Sequence, residues 1–233
     1  MTQFKQETID GLDFELPYAN VTTPGRHYST PDGKSYPSVT TVLGATADKA
    51  FLEEWRKRVG VEEADRISKA ATSIGSDMHL LCEYYLSNLD LPEVQNKKAI
   101  QMFRSMKPKL TSNITSVIKL EAPLYSDFFR VAGRTDGIVY WKGKLAIIDF
   151  KSNHKADRLK KEEDIEDYFI QIAIYALMFE ERTGLTLELG VIIISNGLVT
   201  QTFEFNPQDW KSKAIKRIKQ YYVGSTIHSG TVC

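Results

Sequence analysis

The stretch GRTDGIVYWKGKLAIIDFKS, residues 133–152, sets two carboxylates, Asp136 and Asp149, among residues that otherwise suit a buried β-hairpin. If Lys142 and Gly143 are the central residues of a tight turn, Trp141 faces Lys144 and, counting back along both strands, Asp136 faces Asp149. Side chains alternate between faces, so Arg134 and Lys151 share the face of the two acids and oppose each other. Directly opposed residues have Cβ atoms roughly 4.5 to 5.5 Å apart, where like charges repel. A cation between them removes that repulsion. Oxygen donors of this kind suit Mg²⁺ or Mn²⁺, which keep several waters and take phosphate oxygens as further ligands. The Asp149-Phe150-Lys151 triplet alone fits a turn cap or a surface ion pair more readily. Asp136 at the facing position, Glu121 upstream and QIAIY downstream shift the balance toward a site. With Ser126 and Asp127 as the turn of the preceding hairpin, Glu121 faces Ala132, on the side of Asp136; a bulge in YSDFFR would change that parity.

The elements that must carry these residues follow from periodicity. Residues 1–38 have turn signals at Thr23-Pro24-Gly25 and Pro31-Asp32-Gly33 and read as short strands or an ordered arm. From Ala47 to Asn88 apolar residues recur at helical spacing, with Gly60 and Gly75 as dividing points, and another helix is expected from about Pro92 to Leu110. From Ile114 the period becomes two and predicts three consecutive strands. A helix over about 163–183 follows, stopped near Gly184. A strand pair turns around Asn196-Gly197, and Pro207 opens a last basic helix. The result is a mixed α/β chain with a helical N-terminal portion.

Thirty basic residues balance thirty acidic ones, so a polyanionic partner would need a local patch. Hydrophobic residues at 42% and charged residues at 26% are ordinary for a folded soluble chain, which argues against long disorder. No run approaches eighteen apolar residues and the start has no basic, apolar leader, so no membrane segment is expected. Cys82 and Cys233 have no metal-ligand spacing, and a reducing compartment fits. No GxxxxGK[ST] occurs, so no nucleotide is expected.

The order E…D…(apolar strand)D-x-K, followed by a helix bearing Q-x-x-x-Y, resembles the PD-(D/E)XK nuclease superfamily, and within it the RecB-like exonuclease branch. SIGSDMHLLCEYYL, with His79 and then Glu83 one turn later, resembles the branch's metal-binding helix. YPSVTTVL followed by FLEEWRKRVG is similar to the start of mitochondrial genome maintenance exonucleases and related phage nucleases. The resemblance implies a restriction-endonuclease-like core, a mixed central sheet flanked by helices. It implies one nuclease domain over 1–233, with an arm (1–45), a helical portion (46–112) and the core (113–233). It also implies one or two Mg²⁺ or Mn²⁺ ions held by Asp136, Asp149, His79 and the Phe150 carbonyl, with Lys151 as catalytic lysine and Glu121 as accessory acid. Two cysteines cannot build the four-cysteine iron–sulfur cluster of some relatives.

Gln171, Tyr175, Arg134, Ser152, Ser38 and Thr40 are the candidate substrate contacts. Gln171 could meet the DNA backbone or the catalytic lysine, or be a satisfied core polar group beside an amphipathic Tyr. Ser38 and Thr40 could bond phosphates or cap the next helix. Cations that could hold DNA are Arg56, Lys57 and Arg58, the HKADRLKK loop, and Lys211, Lys213, Lys216, Arg217 and Lys219; Tyr28, Tyr36 and Trp55 could stack on bases. The implied activity is a metal-dependent exonuclease on single-stranded DNA ends in replication, recombination or repair. A replication or recombination protein could feed it, in a bacterial or phage-infected cytoplasm. A structure-specific endonuclease of the same fold and a non-catalytic DNA-binding module are the alternatives.

Overall fold

The computed structural model describes residues 3–16, 20–22, 25–154 and 158–229. Thr23-Pro24 of the first turn signal and residues 155–157 of the basic loop lie outside these. The N-terminal region forms β1 (Lys5–Gln6) and a small antiparallel sheet of β2 (Asn20–Thr22), β3 (Gly25–Ser29) and β4 (Ser35–Pro37). Four helices follow: α1 (Val39–Thr46), α2 (Ala50–Val59), α3 (Val61–Leu86) and α4 (Lys97–Asn113). Gly60, at φ +88°, separates α2 from α3. The break expected at Gly75 does not occur: α3 passes through it where a Cβ would stand 3.6 Å from Ser152 Oγ, and packing against the sheet offsets glycine's cost of about 1 kcal/mol. The next helix starts at Lys97, later than Pro92, because the Asn96 side chain caps it by accepting from the Lys98 and Ala99 N–H groups.

The strands β5 (Ile114–Ser126), β6 (Val131–Trp141) and β7 (Lys144–Ser152) form a meander. The long helix α5 (Glu166–Thr183) crosses back to β8 (Leu189–Ser195), which pairs parallel with β7; β9 (Thr200–Phe205) returns antiparallel. A 3₁₀ turn at Pro207–Trp210 leads into α6 (Lys211–Ser229). The six-stranded mixed sheet has the order β1-β5-β6-β7-β8-β9. Ile147, Ile192 and Ile194 pack under α1, α5 and α6; Ile148, Val191 and Ile193 pack against α3 and α4 on the opposite face. This is the mixed sheet flanked by helices that the sequence implied. Among the described residues no helix is long and apolar enough to cross a membrane.

Register decides what reaches the site. The β6–β7 ladder runs as expected from Trp141↔Lys144 to Gly137↔Ile148, with Lys142 and Gly143 in the turn at φ +50° and +79°. It ends there, one pair before the aspartates. Beyond it β6 stays with β5, and β7 with β8. Arg134 is therefore paired with Pro123 and not with Lys151. The β5–β6 turn also differs from the two-residue Ser126-Asp127 turn: Ser126 pairs with Val131 and four residues, 127–130, make the loop. Glu181 holds this loop, accepting from the Asp127 N–H at 2.9 Å and from Ser126 Oγ. The longer loop moves Glu121 from opposite Ala132 to opposite Asp136, between the pairs Leu120↔Gly137 and Ala122↔Thr135.

The seat of α5 on the sheet depends on Gly190 in β8, where a Cβ would lie 2.8 Å from both Ile172 Cγ2 and Phe205 Cζ. Gly190→Leu should cost about 1–3 kcal/mol through overpacking. Urea unfolding of the variant beside wild type measures it, and an unchanged midpoint would contradict this packing.

Candidate metal and nuclease site

The fork between β6 and β7 opens into a cavity of about 660 Å³ lined from α1, α3, β3, β5, β6, β7 and α5. With its ladder to β7 ended at Gly137, β6 engages β7 through a side chain: Asp136 Oδ2 accepts the Phe150 N–H at 2.5 Å. The other carboxylate oxygen, Oδ1, lies 3.1 Å from His79 Nδ1. His79 comes from α3, whose Met78, Leu81 and Cys82 are buried against the sheet. Ser76, His79 and Glu83 recur at spacings of three and four, so they form one stripe of that helix facing the cavity. The His79 ring meets Phe150 edge to face at 5.8 Å, which fixes its plane.

Ligand atoms of His79, Glu121 and Asp136 lie within 4.8 Å of one another. Glu121 reaches this position from a left-handed backbone, φ +44°, a conformation costing on the order of 1–3 kcal/mol in a non-glycine residue. Arg134 Nη1 donates to the Glu121 carbonyl at 3.2 Å and Nη2 to that of Leu16 at 2.6 Å, bracing the turned segment. Two carboxylates are hard donors and one imidazole nitrogen is a borderline one, a set that fits a divalent ion.

Asp149 lines the same cavity but is not one of this trio. It is 3% exposed, and its Oδ2 lies 2.5 Å from Lys151 Nζ. The ammonium donates to Gln171 Oε1 at 3.0 Å and stands 4.9 Å from the centre of the Tyr168 ring. Gln171 and Tyr175 share a stripe of α5, as their four-residue spacing requires. Gln171 thus makes the lysine contact, one of the roles open to it. The Tyr175 hydroxyl donates to the Arg134 carbonyl at 2.8 Å, so it ties α5 to β6.

The electrostatics separate the two aspartates. Burial pushes Asp149 above the ordinary carboxylate range; Lys151 opposes this and Asp136 reinforces it. Burial would also raise Asp136, but His79 and Lys151, with hydrogen bonds from His79 and the Phe150 N–H, hold it low. Burial disfavours the Lys151 ammonium, yet Asp149 and Asp136 raise its pKa overall, so it stays charged. Burial works against the His79 imidazolium too, and Asp136 overcomes it, raising His79 to about 9. Glu121 rises to about 7 through burial and the repulsion of Asp136 and Glu83.

Not every candidate reaches the cavity in a form free to meet a ligand. Ser38 is buried as the N-cap of α1, accepting from the Thr41 N–H at 3.0 Å, while Thr40 stays exposed at the cavity edge. Ser152 is not part of the lining; its Oγ lies 3.2 Å from His154 Nε2. Arg134, expected to meet substrate, has two of its nitrogens committed to backbone carbonyls. Three of the five α6 cations are also engaged: Lys211 with Glu180, Lys213 with Glu166, and Arg217 with Asp167, Thr46 and the Leu43 carbonyl. Arg56 pairs with Asp65. Tyr168 was missed in the sequence; its place two residues into α5, one turn before Gln171, was the available signal.

Residues 49–223 match the family described as the PD-(D/E)XK nuclease superfamily. The chain is 25% identical to mitochondrial genome maintenance exonuclease 1 of Xenopus tropicalis over 196 residues, covering 80% of this chain and 55% of that protein. It is 24% identical to the protein of the same name from Mus musculus over 184 residues, covering 69% and 50%. The chain thus spans about half the length of these curated relatives. A solved structure described as "Crystal structure of SSO0001" superposes with a TM-score of 0.41 at 16% identity, over 80% of this chain and 74% of that one.

An ion entering the His79–Glu121–Asp136 trio must displace protons, because both raised groups bind the ion only when deprotonated. At pH 7.5 Glu121 is already largely deprotonated and His79 is still an imidazolium, so Mn²⁺ binding should release about one proton, and affinity should climb between pH 6 and 9. Isothermal titration in PIPES and in Tris, whose ionisation enthalpies differ, counts the proton. His79→Asn should remove the imidazolium's share of the count and leave what Glu121 releases; a heat independent of buffer in the wild type would refute the assignment.

Proposed function

The chain belongs to the PD-(D/E)XK nuclease superfamily, and from that premise we propose that it is a Mg²⁺- or Mn²⁺-dependent DNA exonuclease acting on single-stranded ends. The observation that carries this reading is one fork in the sheet that gathers three ion-ligating side chains beside a charged, buried lysine. Asp136, Glu121 and His79 would hold the ion, with Asp149 and the Phe150 carbonyl as further donors. When bound, the ion would supply an activated water and charge stabilisation for phosphodiester hydrolysis.

The protein's own groups supply the rest. Lys151 remains protonated, so it serves as an electrostatic partner for charge developing on the phosphate and not as a base. Asp149 and Gln171 hold the ammonium from two sides, which restricts the lysine to one orientation. Phe150, Ile148 and the α3 side chains close the far face of the fork to water. The names of the curated relatives support exonucleolytic action, and we propose end-processing in replication, recombination or repair as its setting, with a protein that exposes single strands as a natural partner.

The deciding experiment offers linear single-stranded, duplex and circular DNA, end-labelled where ends exist, with Mn²⁺, Mg²⁺ or EDTA. Linear single strands should shorten only with metal while circles stay intact; nicked circles would replace the exonuclease by an endonuclease. Lys151→Met should reduce turnover by about 10²-fold or more while DNA binding changes little. The thermal midpoint of the variant checks that buried Asp149, left without its cation, has not unfolded the site.

A further inference from the structure

The cavity is short of available positive charge for the substrate proposed above. Glu83, Glu121, Asp136 and Asp149 contribute four carboxylates to its lining. Of its cations, Lys151 lies against Asp149 and His79 against Asp136, while two Arg134 nitrogens bond the Leu16 and Glu121 carbonyls. Each of these three is committed to a protein partner, so a phosphodiester strand running past the ion-binding fork needs another cation to receive its next phosphate.

Arg26 answers that requirement. It lines the cavity from β3 and is exposed, and among the described residues its guanidinium makes no hydrogen bond or ion pair. Its backbone, in contrast, is held on both sides. The Arg26 N–H donates to Thr41 Oγ1 at 3.0 Å, and its carbonyl accepts from the Ser38 N–H at 2.8 Å and from Thr41 Oγ1 at 3.1 Å. Gly25 permits this approach of β3 to α1: at φ +152°, a Cβ there would fall 2.6 Å from Thr41 Cγ2. The result is a charged fork on a fixed base, in a cavity lining that also includes the exposed Thr40.

We propose that Arg26 anchors a backbone phosphate of the DNA strand next to the one being cleaved, through the two parallel N–H donors a guanidinium offers to phosphate oxygens. This rests on the nuclease reading. It places the strand between the β3–α1 corner and the Lys151 side of the fork, and it makes Arg26 a substrate-anchoring residue.

The test pairs Arg26→Ala with a series of short single-stranded substrates, each carrying one uncharged methylphosphonate linkage at a successive position from the end. Arg26→Ala should raise KM roughly ten- to a hundredfold, the size of one lost charge-assisted hydrogen-bonded contact, with kcat changed much less. Arg26→Lys should recover part of the loss. In the wild type, one neutral linkage should reproduce the Arg26→Ala defect, and in Arg26→Ala that same linkage should cost nothing further. A structural role for Arg26 cannot yield that position-specific loss of additivity. If the two losses multiply at every linkage, Arg26 does not hold a phosphate and the proposal is overturned while the nuclease reading stands. If the wild type cleaves no DNA with either metal, the nuclease reading fails and takes this proposal with it.

Discussion

The hydrogen bond from the Phe150 N–H to the Asp136 carboxylate is the contact on which the site depends. A ladder between β6 and β7 continued past Gly137 would leave the two aspartates opposed across a closed sheet, with no room for a third ligand or a phosphate. Because β6 stays with β5 and β7 with β8, the strands separate, and a side chain takes the place of a backbone acceptor. That exchange satisfies an amide that would otherwise be buried without a partner. It also fixes one carboxylate oxygen and leaves the other facing His79.

Once the fork exists, the charges around it organise themselves into two units. Asp136 works with His79 and Glu121, and Asp149 with Lys151 and Gln171. Both aspartates are buried, so the difference between them arises from their neighbours: the imidazolium and an amide hold one ionised, while the other sits deeper beside a single ammonium and feels its partner's repulsion. Two acids of the same type thereby acquire different affinities for protons, a common arrangement where one site must both bind cations and manage charge.

Several residues that would suit substrate contact act as struts. Tyr175 joins α5 to β6, and Arg134 braces the left-handed turn at Glu121. These contacts transmit the packing of α5 and of residues 12–16 to the cavity wall. The final helix is similar: its basic residues look like a nucleic-acid surface in the sequence, yet three of them are neutralised by acids of α5, and Arg217 also caps the end of α1. A long flexible cation is drawn to the nearest carboxylate, and sequence proximity does not reveal which one that is.

What the sequence determined by itself was local or periodic. The alternation of 114–152, the turn at Lys142-Gly143 and the helical stripe of Gln171 and Tyr175 depend on spacings of two or four residues, and the structure reproduces them because those periods are properties of the backbone. The mixed sheet flanked by helices followed from the order of these elements. What only the tertiary structure decided was where pairing stops and which distant segments meet there. The four-residue loop after Ser126, held by Glu181 from fifty-five residues away, set Glu121 opposite Asp136. The passage of α3 across the fork brought His79 to Asp136 from fifty-seven residues away, and β3 brought Arg26 to the mouth. Such meetings are set by how helices and sheet faces pack, and that energy is shared among many residues, so no short stretch of the chain carries it.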